Sequence, residues 1–349
     1  MKNQVIPIKI IYDDIIYSLQ KSGGISLYWS QLEKYKEQDI KLVYKDCEKN
    51  IFYQESLSSK KINSIIFLER FKNISLDIKS PFIFHSSYYR YCKNKNAINI
   101  TTVHDFIYEY FRSDLKSILH KIQKRNAIKN SYAIICNSNN TKKDFLKFFP
   151  DFKGKIKVIY SGLSDDYYNM NIPRKNNVIF MGPREGYKNF NYALKLMENF
   201  PELKLQIISG GLLKKNEYMI LENTIPNRYE YYSSLSNMEL NKFYNEAKFL
   251  LYTSLYEGFG VPVLEAQATG CPVVCCNVSA LSEVAGESAF YISGKSIEED
   301  LKVISMLENK EVYDIKIKKG FENSKKFSWK KCAEETYNFY MEVYDSNQT

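Results

Sequence analysis

Short apolar segments alternate with segments of helical periodicity along the whole chain, and this alternation limits the possible folds more than any other feature of the sequence. Strands are predicted at residues 8–12, 82–85, 98–103, 132–136 and 157–160, and again at 178–181, 205–208, 249–252 and 272–276. Strands that alternate with helices build parallel sheets covered by helices on both faces. The 349 residues suit about two such domains. The predicted fold class is therefore α/β, with two doubly wound parallel sheets.

A polar segment without clear periodicity, residues 161–177, separates the two runs of strands. We therefore predict an amino-terminal domain over residues 1–170 and a second domain over 171–326. Residues 327–349 are predicted to form an amphipathic helix that packs back onto the first domain. Its apolar positions recur at helical spacing: Trp329, Tyr337, Tyr340 and Val343.

The segment 256–265 joins a predicted strand to a helix through a glycine loop. Pro262 suits the first turn of that helix, and Gly270 suits its end. Backbone N–H groups at such a helix start favour an anion. The same segment carries Glu257 and Glu265, which a phosphate would repel, so these carboxylates are expected to contact neutral sugar hydroxyls beside the anion. A ligand with phosphate in the middle and a sugar at each end is a nucleotide sugar.

Three other loops carry candidate ligand-binding groups. Gly23 and Gly24 precede a predicted helix, where the backbone can approach a ligand closely, although a plain tight turn is an equal alternative. Arg184 and Lys188 lie between a strand and a helix, although surface Arg and Lys are usually only solvated. His104 and Asp105 follow a strand end, where open α/β sheets bind ligands; a structural His is the alternative.

Net charge, apolar runs and cysteine content limit the classes of protein to which the chain can belong. The net charge is +9, but the basic residues are spread along the chain without a nucleic-acid-binding fingerprint. An anionic membrane surface and a merely lysine-rich composition remain as explanations. No apolar run approaches the ~20 residues of a spanning helix, and Met1–Gln4 lack a signal-peptide core. Seven cysteines without metal-type spacing indicate a cytoplasmic protein, with the inner face of the cytoplasmic membrane as a further possible location.

The segment 254–268, with Glu257 and Glu265 in a Glu-x7-Glu arrangement, resembles the signature of glycosyltransferase family 4. The similarity extends over most of the chain, through residues 23–26, 103–105, 137–141, 182–189 and 270–274. The first half is similar to bacterial mannosyltransferases of O-antigen and other surface polysaccharides. The resemblance implies the GT-B architecture, in which two Rossmann-like domains face an interdomain cleft.

The resemblance also implies roles for single residues. Glu265 would bind the ribose, and Glu257, next to Gly258, would bind the donor sugar. His104 and Asp105 would lie near the donor sugar and, with Glu257, form the catalytic set. The groups around the diphosphate would be Gly24, Arg184, Lys188 and the amides of Phe259, Gly260 and Val261. Pro183 and the short interval from Arg184 to Lys188 depart from many family members, which makes Lys188 the safer phosphate ligand.

The implied activity is retaining transfer of a hexose, with GDP-mannose as the donor, to a lipid-linked or polysaccharide acceptor in bacterial surface-glycan synthesis. No cofactor and no metal are expected, since the chain has no Asp-x-Asp triplet. Tyr88, Tyr89 and Arg90 are candidate acceptor contacts, with ordinary packing as the alternative. Two other functions fit less well: a GT-B nucleotide-sugar 2-epimerase, and a non-catalytic module that binds a sugar nucleotide or a glycan.

Overall fold

The computed structural model describes residues 8–35, 40–55, 59–62, 66–184 and 186–348. The chain divides into two compact units, which are described separately. The first unit comprises Met1–Ser161 with Trp329–Thr349, and the second comprises Gly162–Ser328. Met1–Gln4 and Glu185 of the 182–189 loop lie outside the described residues.

The first unit contains one parallel sheet with the strand order β3-β2-β1-β4-β5-β6-β7. Its strands are β1 (Ile10–Asp13), β2 (Ile40–Tyr44), β3 (Ser59–Ile62), β4 (Phe82–Ser86), β5 (Ala97–Val103), β6 (Ala133–Cys136) and β7 (Lys155–Val158). The order reverses between β1 and β4, which pair directly, with Tyr12 opposite His85. Its helices before the second unit are α1 (Ile16–Leu19), α2 (Gly24–Tyr35), α3 (Ile66–Glu69), α4 (Ile107–Phe111), α5 (Leu115–Lys129) and α6 (Asn139–Phe148).

The second unit contains a parallel sheet with the order β10-β9-β8-β11-β12-β13. Its strands are β8 (Asn177–Met181), β9 (Lys204–Ile208), β10 (Tyr229–Tyr232), β11 (Phe249–Tyr252), β12 (Val273–Cys276) and β13 (Phe290–Ile292). Its helices are α7 (Phe190–Met197), α8 (Lys215–Thr224), α9 (Asn237–Glu246), α10 (Val261–Ala268), α11 (Ala280–Ala285), α12 (Ile297–Ser305) and α13 (Lys310–Ser324). The order reverses between β8 and β11. Both units are doubly wound, which confirms the predicted fold class.

The last helix, α14 (Trp329–Gln348), belongs to the first unit and packs on α2. Trp329, Tyr340 and Val343 are buried in the core of that unit, and Tyr337 packs against the same core partly buried. The Tyr340 hydroxyl lies 2.5 Å from His85 Nδ1 and 3.1 Å from the Tyr12 hydroxyl. The helix therefore completes a buried polar network as well as an apolar core.

The amino-terminal segment of the first unit ends at Ser161, before the predicted boundary at residue 170. The reason lies in two hydrogen bonds that backbone N–H groups of residues 168 and 170 donate to side chains of α9 in the second unit. The Tyr168 N–H donates to Asn241 Oδ1 at 3.1 Å, and the Met170 N–H donates to Asn245 Oδ1 at 2.7 Å. Among the described residues, no helix combines the length and the apolar character that crossing a bilayer requires.

We expect Tyr340→Phe to lower the free energy of unfolding of the first unit by about 1–3 kcal/mol, because His85 Nδ1 and the Tyr12 hydroxyl lose a buried partner. Differential scanning calorimetry measures the change. Tyr168→Phe is the control, since that side chain is exposed and belongs to the second unit. Equal melting curves for Tyr340→Phe and the control would show that the network contributes nothing.

Candidate active site

The candidate site of the second unit lies where its strand order reverses. Strands β8 and β11 are hydrogen-bonded neighbours, with Phe249 opposite Val178 and Leu250 opposite Ile179. Because both strands run in the same direction, the loops that follow them emerge at the same edge of the sheet. This edge, at a reversal of strand order, is the usual ligand-binding position in doubly wound sheets. One loop carries Arg184 and Lys188, and the other carries Glu257.

Lys188 and Glu257 form a buried ion pair at this edge. Lys188 Nζ donates to Glu257 Oε1 at 2.6 Å and to the Tyr252 hydroxyl at 2.8 Å. Gly182 makes room for the lysine, since its φ is +107° and a Cβ atom there would lie 3.1 Å from Lys188 Cε. The Glu257 N–H donates to Ser279 Oγ at 2.8 Å, which fixes the backbone next to the carboxylate. The structure thus brings together two of the predicted donor-binding residues.

Arg184 is buried in a different set of contacts. Its Nε donates to Glu217 Oε2 at 3.0 Å. Its terminal nitrogens donate to the carbonyl oxygens of Ser209 at 3.0 Å, Gly211 at 2.9 Å and Leu212 at 3.0 Å. These bonds hold the turn after β9. A diphosphate role for Arg184 stays a prediction. Lys188 is the cation that contacts Glu257 directly.

The glycine loop leads directly into α10. Gly260 is the residue before the helix and has a φ of +105°, and a Cβ atom there would lie 2.8 Å from the Leu281 side chain. Val261 is the first helical residue, and Pro262 fits the first turn because the N–H that proline lacks would have no partner within the helix. Gly258 and Phe259 are buried, and the Phe259 ring packs on Phe327. The local geometry is therefore the helix start that the spacing predicts.

Glu265 lies one helical turn further along α10 and is buried. Its Oε2 accepts a hydrogen bond from the Tyr244 hydroxyl at 2.9 Å. Burial raises the pKa of Glu265 to about 7, although hydrogen bonds from Tyr244 and Tyr167 oppose the rise. The sequence pattern did not identify either tyrosine as a site residue. The spacing of Asn241, Tyr244 and Asn245 along α9 is the signal that identifies its buried face.

In the first unit, His104 and Asp105 follow β5 as predicted, and a buried lysine supports them. Lys124 of α5 donates to the Asp105 carbonyl oxygen at 2.6 Å and pairs with Glu109 at 3.2 Å. Its Nζ also lies 3.7 Å from the centre of the Phe106 ring. Burial, with the charge of Lys124, lowers the pKa of His104 to about 4, so this imidazole is neutral at pH 7. Sequence reasoning missed Lys124, although it lies at helical spacing from the buried Ala127 and Ile128.

Gly24 is the first residue of α2, and a Cβ atom placed on it would meet no atom within 4 Å. Steric crowding within the described chain therefore does not explain the glycine. The open space at this helix start is compatible with the predicted approach to a phosphate. That role stays a prediction.

The three candidate acceptor residues lie in different environments. Arg90 is fully buried, where it pairs with Asp13 at 3.3 Å and donates to the Tyr44 hydroxyl at 3.0 Å. Tyr88 is partly buried and accepts a hydrogen bond from Arg70 at 2.7 Å. Tyr89 is also partly buried and packs against the ring of His120. Packing therefore accounts for Arg90, whereas the two tyrosines keep part of their surface exposed.

The ionisable groups of the described residues show no arrangement typical of a metal centre. Within the described ranges, no three side chains of His, Cys, Asp or Glu cluster closely enough to hold an ion. The seven cysteines are all buried and unpaired.

Comparisons with known proteins agree with this fold. Residues 169–323 match the profile of the family described as "Glycosyl transferases group 1". The sequence is 24% identical over 287 residues to the O-antigen chain mannosyltransferase B of Escherichia coli, covering 74% of each chain. It is 27% identical over 368 residues to an uncharacterized glycosyltransferase of Methanocaldococcus jannaschii, covering 98% of this chain and 100% of the relative. The structure is similar to sucrose-phosphate synthase from Thermosynechococcus elongatus, with a TM-score of 0.76 and 16% identity over 97% of this chain and 100% of that one.

Both units have the doubly wound fold that characterises the GT-B class of glycosyltransferases. The family match covers most of the second unit, including the Lys188–Glu257 pair and α10. The chain is therefore a glycosyltransferase, and most of its second unit matches the profile of the group 1 family.

The predicted ribose-binding role of Glu265 implies that the affinity for a nucleotide sugar rises as the pH increases through about 7, because only the ionised carboxylate accepts hydrogen bonds through both of its oxygens. Isothermal titration calorimetry between about pH 5.5 and 8.5 measures this dependence. A nucleotide sugar is the suitable ligand, since its diphosphate has no proton to lose near neutral pH.

The control for this titration is Glu265→Gln, which keeps the shape of the side chain but cannot ionise. The variant is expected to bind about tenfold more weakly at pH 8, with little change in affinity across the pH range. If wild type and variant show the same pH dependence, the titrating group is not Glu265.

Proposed function

We propose that this glycosyltransferase transfers mannose from GDP-mannose, with retention of configuration, to a lipid-linked or polysaccharide acceptor in bacterial surface-glycan synthesis. The observation that carries the proposal is the buried Lys188–Glu257 pair at the switch point, beside the start of α10. The choice of mannose draws on the similarity to the O-antigen chain mannosyltransferase B.

The chemistry follows from the charges at this edge of the sheet. Departure of a nucleoside diphosphate places negative charge on the leaving group, and a preorganised cation stabilises that charge. Lys188 is held in position by Glu257 and Tyr252, so it needs little rearrangement when the charge develops. The N–H groups at the start of α10 add positive potential from the helix end. The leaving group then departs from a site that is already complementary to it.

Glu257 has two tasks in this proposal. One carboxylate oxygen orients Lys188, at 2.6 Å. The carboxylate also accepts hydrogen bonds from hydroxyls of the donor sugar, which places the anomeric carbon relative to the diphosphate. Glu265 accepts hydrogen bonds from the ribose at the other end of the ligand. The two glutamates thus bind opposite ends of one nucleotide sugar, and the segment between them faces the diphosphate.

His104 and Asp105 are two further proposed contacts of the donor sugar. The neutral imidazole of His104 can exchange hydrogen bonds with sugar hydroxyls at pH 7 without bringing a second positive charge. Lys124 holds the loop through the Asp105 carbonyl oxygen at 2.6 Å and is a positioning residue. Attack from the same face as the departing diphosphate is the proposed route to retention.

The donor is tested by thermal shift with a panel of nucleotide sugars. GDP-mannose is expected to raise the melting temperature, because a ligand that binds the native state stabilises it, whereas UDP-glucose and UDP-N-acetylglucosamine leave it unchanged. Glu257→Gln should still bind GDP-mannose but lose about 100-fold or more in turnover. Glu298→Gln is the control, since this glutamate lies on the exposed face of α12.

A shift with a UDP sugar and none with GDP-mannose would contradict the proposed donor. Formation of an isomeric nucleotide sugar without any acceptor would identify an epimerase instead. Equal inactivity of wild type and Glu257→Gln with every donor that binds would support a binding module.

Transfer is expected to continue in excess EDTA, because Lys188 and the start of α10 stabilise the leaving diphosphate in place of a divalent ion. The product is expected to keep the anomeric configuration of the donor. Activity with and without EDTA, followed by nuclear magnetic resonance of the product anomer, checks both points. Complete loss of activity that magnesium or manganese restores would contradict the metal-independent mechanism, and an inverted anomer would contradict retention.

A further inference from the structure

Helix α5 exposes an apolar stripe where an amphipathic helix normally buries one. The exposed fractions are 71% for Leu115, 46% for Ile118, 42% for Leu119 and 57% for Ile122. These positions have the i, i+3, i+4, i+7 spacing of a single helix face. The buried residues of α5 are instead Ser117, Lys124, Ala127 and Ile128. The outer face of α5, defined by Leu115, Ile118, Leu119 and Ile122, is therefore apolar and faces away from the core of its unit.

The charged side chains of α5 itself are all basic. No Asp or Glu occurs from Leu115 to Lys129, whereas this stretch includes the exposed Lys116, Arg125 and Lys129. Arg112, also exposed, lies three residues before the first residue of the helix. Asp114 is the acid immediately before the helix, and its carboxylate caps the helix by accepting the Ser117 N–H at 2.9 Å. An apolar strip with a cationic margin is the pattern of helices that lie in the headgroup region of a membrane.

We propose that the outer face of α5 docks onto an anionic lipid surface. The four aliphatic side chains enter the boundary between headgroups and acyl chains, and the surrounding Arg and Lys side chains contact lipid phosphates. Charge favours this occupant over a second copy of the chain. A two-fold contact through α5 would bring the same basic residues of both copies together, which costs electrostatic energy.

The inner face of the same helix contacts residues of the candidate site. Lys124 donates to the carbonyl oxygen of Asp105 at 2.6 Å. The ring of His120 stacks on Tyr108 with centres 4.0 Å apart and packs edge-on against Tyr89 at 5.2 Å. Lipid docking through α5 would therefore place the His104–Asp105 loop and the candidate acceptor tyrosine close to the membrane surface. The use of this placement in catalysis rests on the proposed lipid-linked acceptor, whereas the docking itself does not.

The test is co-flotation of the full chain with vesicles made of equal parts phosphatidylglycerol and phosphatidylethanolamine. The wild type is expected to float with these vesicles, and to float much less with pure phosphatidylcholine or at high salt, because screening weakens the contact of the basic margin. The combined variant Ile118→Gln, Leu119→Gln, Ile122→Gln should lower the partition coefficient at least about tenfold. Arg125→Gln should lower it about fivefold.

Ile51→Gln is the matched control, because Ile51 is an exposed isoleucine of the same unit outside α5. It is expected to float like the wild type. Since every substituted side chain is exposed, the melting temperatures of all variants should agree with that of the wild type. Equal flotation of the triple variant and the wild type would overturn the proposal, as would failure of the wild type to bind the anionic vesicles.

Two further measurements separate this inference from other outcomes. Analytical ultracentrifugation reports the oligomeric state; a wild-type dimer that the triple variant converts to a monomer, without lipid binding, would assign the stripe to self-association and overturn the proposal. Thermal shift with GDP-mannose reports donor binding in the absence of lipid. Loss of that shift would contradict the proposed donor and leave the vesicle result unaffected, whereas an intact shift with no vesicle binding would contradict only the docking surface.

Discussion

The buried ion pair between Lys188 and Glu257 is the interaction on which the second unit's site depends. Removing two charges from water is costly, so such a pair persists only where the surrounding chain holds both partners closely. Here that support comes from the neighbouring strands β8 and β11, from the space at Gly182, and from the hydrogen bond between the Glu257 N–H and Ser279. The sheet topology thus determines that a lysine and a glutamate far apart in sequence meet at 2.6 Å.

Buried cations stabilise several of the loops that follow strands. Arg184 holds the turn after β9 through four carbonyl oxygens, and Lys124 holds the loop after β5 through the Asp105 carbonyl oxygen. Arg90 pairs with Asp13 at the carboxyl end of β1. Each of these cations has an acidic partner or several carbonyl oxygens, as buried charges require. These buried cations are therefore paired with acidic side chains, and the basic margin of α5 is a separate, exposed set.

Most central strands of both sheets could be predicted because they are continuous apolar runs, as in residues 249–252 and 273–276. The edge strands β3 and β10 could not. Strand β3 has the sequence Ser-Lys-Lys-Ile and β10 the sequence Tyr-Glu-Tyr-Tyr, and both are only partly buried. An edge strand has a neighbour on one side alone and tolerates polar residues. The helix start at Gly260 could be predicted because the effects of glycine and proline on the local backbone are independent of the tertiary structure.

The sequence by itself determined the fold class, the glycine loop before α10 and the spacing of Glu257 and Glu265, because these depend on contacts between residues close along the chain. Only the tertiary structure decided which partners those residues have: Lys188 for Glu257, Tyr244 for Glu265, and Lys124 for the loop of His104. It also decided the orientation of α5. A stripe at helical spacing shows that a helix has an apolar face, but the position of the helix on its sheet determines whether that face meets the core or, as in α5, the solvent.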